Sequence, residues 1–235
     1  MRIAIMQPYF LPYIGYWQLI NTVDIFVVYD NIKYTKKGWI NRNRFLSNGK
    51  VDSFTLPLVK SSDSEFINQK KLIPNFSDEL SKIKRRLDGA YCKANYFKEG
   101  KLIFDSATSS RSLNLFDYLD NSIRTICSML GITTKIVNSS ALPLDHSLKG
   151  QERVIDICAY LQAKSYINPP GGVNLYCSNN FALKGIKLMF IYPQINPYKQ
   201  LGMIQFQENL SIIDLFFNLA KDTIKQQLNE YELIK

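Results

Sequence analysis

RIAIMQPYFLPYIGYWQLINTVDIFVVYD, residues 2–30, decides the fold. Arg2-Ile3-Ala4-Ile5-Met6 reads as a short strand, and residues 14 to 21 read as an amphipathic helix. Ile25, Phe26, Val27 and Val28 then form the unbroken apolar run of a strand covered on both faces. Strand, turn, helix and strand in under thirty residues make a short βαβ unit, which prefers a right-handed crossover. The turn carries Gln7, Pro8, Tyr9, Pro12, Tyr13, Gly15 and Tyr16. In α/β proteins, ligands sit where a strand gives way to a helix in this manner.

Downstream, FLSNGKVDSFTLPL (45–58) signals a hairpin, because both central residues of a type I′ turn need positive φ and Asn48-Gly49 accepts it. Residues 65–135 read as mostly helical. In the helix near 112–130, Leu113, Phe116, Leu119, Ile123, Ile126 and Leu130 recur at three- and four-residue steps, and Gly131 ends it. Strands follow at 134–140, at SYIN (165–168) and at 186–192, with helices at about 149–161, 178–184 and 210–220 between and after them. The expected fold class is α/β: a parallel, Rossmann-like sheet with an inserted hairpin and helical segment. The expected layout is one domain over 1–235, the insertion at 45–130 and a polar helical tail at 220–235.

Composition narrows the function. The chain has 235 residues, is 46% hydrophobic and carries a formal charge of +9, which favours an anionic partner. Nothing resembles a signal peptide, and no apolar run reaches the roughly 18 residues of a membrane span, so a cytoplasmic chain is expected. The cysteines Cys92, Cys127, Cys158 and Cys177 lack metal-knuckle spacing, and with one histidine no metal site is expected. Cys127 and Cys158 fall in apolar helical patterns and read as core thiols. No GxGxxG, Walker A, HExxH or GxSxG motif occurs.

Four polar stretches leave the ends of expected strands: Gln7 to Tyr16, Asp30 to Arg44, Ser139 to Arg153, and Asn168 to Tyr176. In a parallel sheet such loops converge on one edge and line one crevice. Gly15 sits near a helix start, where exposed N–H groups and the helix dipole favour an anion. The loop DNIKYTKKGWINRNR interleaves Lys37, Arg42 and Arg44 with Tyr34 and Trp39: guanidinium forks suit phosphates, and an aromatic face stacks on a base. Asn41 and Asn43 suit amide or hydroxyl edges. Lys149 could reach a phosphate from the start of its helix, and His146 could act as a general base. Gly171 and Gly172 either admit a ligand close to the backbone or relieve the Pro169-Pro170 turn.

MQPYFLPYIGYWQLI, DxFVVYD, KKGWINRNR, KGQERVIDIC, YINPPGG and NLSIID together resemble the WbqC-like proteins, over residues 1 to about 215. That family occurs in bacterial O-antigen and surface-polysaccharide gene clusters, with a suggested role in passing glycine to an amino sugar. The opening also resembles nucleotidylyltransferases and pantothenate synthetases, which carry His-x-Gly-His where this chain has Tyr13-Ile14-Gly15-Tyr16. Tyrosine donates one hydrogen bond but carries no positive charge at neutral pH. The resemblance implies a nucleotidylyltransferase-like fold and an amide-forming transferase. It would move glycine or a similar acyl group to the amine of a nucleotide-linked amino sugar, with ATP and magnesium as the cofactor. In that reading Lys149, Arg44, Gln7 and His146 are catalytic. Tyr13, Gly15, Tyr16, Lys37, Trp39, Arg42 and Asn43 hold nucleotide and phosphate. Pro8, Tyr9, Asp30, Asn41, Asn168, Gly171, Gly172 and Tyr176 hold substrate. The two other readings are a non-catalytic nucleotide-sugar-binding component, suggested by the missing histidines, and an aminoacyl-tRNA-dependent transferase, suggested by the charge.

Overall fold

The computed structural model describes residues 1–62 and 64–235. The chain runs β1 (Arg2–Met6), α1 (Ile14–Thr22), β2 (Ile25–Val28), β3 (Arg42–Ser47), β4 (Lys50–Thr55), α2 (Phe76–Tyr91), α3 (Phe97–Ala107), α4 (Leu115–Leu130), β5 (Lys135–Asn138), α5 (Gly150–Tyr160), β6 (Ser165–Asn168), α6 (Ser178–Ala182), β7 (Lys187–Pro193), α7 (Ile212–Asn218), α8 (Lys221–Gln227) and β8 (Tyr231–Ile234).

The main sheet has the order β5-β2-β1-β6-β7-β8. Its first five strands are parallel, with Ile3 opposite Ile25 and Ile3 opposite Tyr166 across the centre. The period of two along each strand assigns every side chain to a face. Ile3, Ile5, Ile25, Val27 and Tyr166 pack with Val154, Ile157 and Cys158 of α5 and Phe181 of α6. Ala4, Phe26, Val28 and Ile167 pack on the other face with α1, α4 and α7. Helices therefore cover both faces, which is why the central strands read as continuous apolar runs. Cys127 and Cys158 are buried in these cores, and burial pushes both thiols up to about 12.

Between β2 and β5 the chain leaves the sheet for the β3–β4 hairpin and helices α2 to α4. Asn48 (φ 51°) and Gly49 (φ 69°) supply the two positive-φ residues of the turn, and Gly131 (φ 74°) ends α4 in the left-handed region. The expected polar helical tail over 220–235 is corrected. Helix α8 ends at Gln227, and Tyr231–Ile234 form an edge strand antiparallel to β7. The helix expected over 210–220 is α7 alone, separated from α8 at Leu219 and Ala220.

Helix α1 explains how the tail docks. Gln18 is fully buried, and its Nε2 donates to the carbonyls of Gln227 (2.7 Å) and Glu230 (2.8 Å), with Gln194 O at 3.2 Å. Gln18→Leu keeps the volume and removes the donor. At about 1–3 kcal/mol for a buried acceptor left unmet, the variant should lose roughly 2 kcal/mol. A urea midpoint that falls with an unchanged m-value will check this. An unchanged midpoint would mean that water replaces the amide.

Candidate functional site

β1 lies at the centre of the sheet. From it the chain first builds outward through β2 and β5, then returns to add β6 and β7 on the other side. The strand order reverses between β1 and β6, and the carboxyl ends of both strands open on one edge. Ligands of open α/β sheets bind in this crevice.

A cavity of about 490 Å³ occupies it. Met6 and Gln7 from the end of β1, Tyr9, Tyr29 from the end of β2, Asn168 and Pro169 from the end of β6, and Gly171, Gly172 and Tyr176 from the loop beyond all line it. Its size is that of a small-molecule site. Gln7, Tyr9, Asn168, Gly171, Gly172 and Tyr176, each expected from sequence, meet here. The wall carries amides and phenols rather than charges. Burial raises the phenols of Tyr9 (to about 12, with a contribution from Tyr13), Tyr29 and Tyr176, so each is a hydrogen-bond donor at neutral pH.

Asn168 is held in place. Its Oδ1 accepts from Tyr166 Oη (3.0 Å), and Tyr166 also reaches Tyr176 Oη (3.4 Å). A Cβ on Gly172 would stand 1.7 Å from Asn168 Nδ2, whereas one on Gly171 would meet nothing within 4 Å. Close approach of Asn168 thus explains Gly172, and Gly171 leaves open space.

Two smaller cavities adjoin the first. One, of about 320 Å³, shares Tyr29, Ile32 and Gly150 with it and adds Asn31, Lys33, Phe66, His146, Leu148, Lys149 and Arg153. The other, of about 340 Å³, shares Tyr9 and adds Pro12, Tyr13, Trp39, Asn43, Arg44 and Asn209. Tyr9 is thus common to the central and aromatic cavities, and Tyr29 to the central cavity and the one ahead of α5.

Several expected site residues serve the scaffold instead. Tyr16 is buried, and its hydroxyl donates to Gln7 O (2.9 Å), so it shapes the first loop rather than meeting a phosphate. A Cβ on Gly15 would stand 2.4 Å from the Tyr13 ring and 2.6 Å from Pro193, so close packing explains this glycine, which lines none of the three cavities. Pro8 is buried beside the crevice without lining it. Asp30 is 1% exposed and accepts from Asn68 Nδ2, Ser139 Oγ and Ser140 N, each at 2.9 Å. It ties the end of β2 to the segment after β5.

The basic loop is likewise turned on itself. Asn41 accepts from Tyr34 Oη (2.8 Å) and donates to Leu56 O (2.7 Å). Arg42 donates to Gly38 O (2.9 Å) and Lys37 O (2.7 Å), and Lys37 is exposed away from the three cavities. Both guanidinium groups stack on Trp39, at 5.5 Å for Arg42 and 5.2 Å for Arg44. Arg44 also donates to Asn209 O (3.0 Å) and lines the aromatic cavity. Asn43 Nδ2 donates to Phe10 O (3.0 Å) and Leu11 O (2.7 Å). Leu11 O also receives Ser211 Oγ (2.7 Å), so Asn43 and Ser211 clamp Leu11 at φ 45°. Left-handed backbone at a leucine persists only when its surroundings dictate it.

Arg153, which the sequence reading passed over, is 2% exposed. Its Nη1 donates to Asp145 O (3.2 Å) and its Nη2 to Asn31 Oδ1 (3.4 Å) and His146 Nδ1. Asn31 Nδ2 also lies 3.0 Å from His146 Nδ1. His146 lines the cavity of about 320 Å³, with its Nδ1 engaged by Arg153 and Asn31. A signal for Arg153 was available: it lies four residues before Ile157, on the face of α5 that carries Val154 and Ile157 into the core.

The strand order and the crevice at its reversal define a Rossmann-like α/β protein. More particularly, the chain belongs to the WbqC-like protein family, whose match covers residues 7–226. It is 30% identical over 226 residues to the uncharacterized protein Rv1507c of Mycobacterium tuberculosis (strain ATCC 25618 / H37Rv), covering 94% of this chain and 95% of that one. No solved structure matches it. No helix among the described residues is long and apolar enough to cross a membrane.

Proposed function

We propose that this chain binds a nucleotide-linked amino sugar across the crevice and transfers glycine, or a similar acyl group, to the sugar's amine. The observation that carries the reading is the central cavity between β1 and β6, lined by the amides of Gln7 and Asn168 and by protonated tyrosines. Amides accept from an amine or hydroxyl and donate to a carbonyl, which suits a sugar better than a fully charged ligand. The sugar amine attacks the carbonyl carbon of an activated acyl donor. The C–N bond forms, the leaving group departs with its electron pair, and the amine proton passes to water. With ATP as the activator, the donor is an acyl-adenylate and the leaving group is AMP. Among the described residues no cluster of three or more His, Cys, Asp and Glu could hold a metal ion, so magnesium would enter with ATP. Catalysis in this reading rests on positioning and on hydrogen bonds from tyrosine to the developing oxyanion.

The lack of carboxylate, lysine or histidine in the central cavity favours a second reading, a non-catalytic nucleotide-sugar-binding component. A tRNA-dependent transferase gains less support, since Arg42 is spent within its own loop. Incubation with ATP, glycine and a UDP-linked amino sugar, followed by mass spectrometry, separates them. A new amide with matching AMP release is the expected result. Saturable sugar-nucleotide binding without product selects the second reading. Absence of any binding overturns both.

A further inference from the structure

We propose that the cavity ahead of α5 is a phosphate-binding site that takes a diphosphate through Arg153, Lys149 and Lys33. Arg153 is a buried cation whose hydrogen-bond partners, Asp145 O, Asn31 Oδ1 and His146 Nδ1, are all uncharged, and its buried Nε has no partner. Among the described residues no carboxylate lies within 4.0 Å of Arg153, Lys33 or Lys149. The nearby carboxylate of Asp145 is turned to Ser147, accepting from its N (2.8 Å) and Oγ (2.9 Å). Glu152, in the first turn of α5, is exposed and off the lining. A buried charge is costly unless an opposite charge meets it; the exposed Asp145 carboxylate acts on Arg153 only at a distance, so a cavity holding a buried guanidinium and two rim lysines, with no carboxylate in its lining, calls for an anion from outside.

Backbone geometry adds to the charge. Helix α5 is 11 residues long, its N-cap Lys149 makes no side-chain cap, and Lys149 and Gly150 both line the cavity, so the positive end of the helix borders it. A phosphate would meet the charge of Arg153, the positive end of the helix and two ammonium groups. The first strand-to-helix turn does not offer this, because Gly15 lines none of the three cavities. Tyr29, Ile32 and Gly150 are shared with the central cavity, so a ligand anchored by phosphates here extends its uncharged part between Gln7 and Asn168. Only that last step rests on the function proposed above; the anion site stands on its own geometry.

Calorimetric titration of the full chain with pyrophosphate at low ionic strength tests the site. Lys33→Ala and Lys149→Ala alter exposed side chains and leave the core intact. Each should weaken pyrophosphate about tenfold, as expected for a charge-assisted hydrogen bond. Lys184→Ala, exposed after α6, should leave it unchanged. Arg153→Met should abolish binding, with thermal unfolding used to verify that it folds. Wild-type protein that does not bind pyrophosphate, or both lysine variants binding as wild type, would overturn the site. Expected pyrophosphate behaviour with no binding of any nucleotide-linked amino sugar would keep the site and remove the proposed function. Sugar-nucleotide binding insensitive to the lysines would do the reverse.

Discussion

Asp214→Ala will destabilise the protein by about 3–5 kcal/mol, since each buried group left unpaired costs about 1–3 kcal/mol. Asp214 is fully buried at the start of α7 and is met by Tyr91 Oη (2.7 Å), Tyr198 Oη (2.5 Å) and Gln200 Nε2 (3.1 Å). Tyr91 in turn accepts from Leu46 N (3.2 Å) and stacks on Phe217 at 4.4 Å. One carboxylate thus joins the hairpin, α2, the segment after β7 and α7. Alanine leaves the hydroxyls of Tyr91 and Tyr198 without their acceptor and costs Gln200 Nε2 one of its two, Gln207 O at 3.0 Å remaining. Chemical denaturation read by fluorescence will give the loss. A change below 1 kcal/mol would mean that water refills the site.

The same residue carries a pH dependence. Burial raises the Asp214 carboxyl above the usual carboxylate range, and the hydrogen bonds from Tyr198, Tyr91 and Gln200 offset this only in part. A group whose folded pKa is raised contributes stability that is present below its unfolded value, about 3.9, and is lost as pH rises through the folded value. Wild-type stability relative to Asp214→Asn should therefore fall as pH rises above about 4. A difference that grows with pH would mean that the hydrogen bonds outweigh burial and hold the carboxylate ionised.

Gly172→Ala will abolish or weaken ligand binding by about tenfold or more while costing little stability, on the scale of one lost hydrogen bond of about 1 kcal/mol. The new methyl stands 1.7 Å from Asn168 Nδ2, 3.0 Å from its Cγ and 3.1 Å from Tyr176 Cε2, so the Asn168 amide must swing away. Swinging away breaks the Tyr166 contact and takes the amide off the cavity wall. Gly171→Ala, one residue earlier, adds a methyl to open space without displacing Asn168 and should weaken binding less than Gly172→Ala. Thermal-shift titration of both variants with UDP and nucleotide-linked amino sugars will compare them. Equal behaviour of the two would show that Asn168 does not touch the ligand.

The first thirty residues were enough to place β1, α1 and β2, because a buried parallel strand and an amphipathic helix each announce themselves by a local period. Asn48-Gly49 placed the hairpin and Gly131 the end of α4, since positive φ is a property of the residue in hand. Convergence of the strand-end loops was also legible: Gln7, Tyr9, Asn168, Gly171, Gly172 and Tyr176 do share a cavity. The roles of polar residues within those loops were not. Asn43, Asp30 and Arg42 look the same in sequence whether they face a ligand or their own backbone.

What the sequence by itself determined, then, is the doubly covered parallel sheet and the edge at which a site must lie. Tertiary structure alone decided the rest. YELI became an edge strand because β7 offered it a free edge and because Gln18, 212 positions before Glu230, holds the preceding turn. Arg153 became a buried cation without an ion-pair contact only once α5 docked against Asn31 and His146. Periodicity and turn chemistry act over a few residues and can be read locally. Hydrogen-bond satisfaction and charge neutralisation depend on which groups the finished fold brings within about 3 Å of each other.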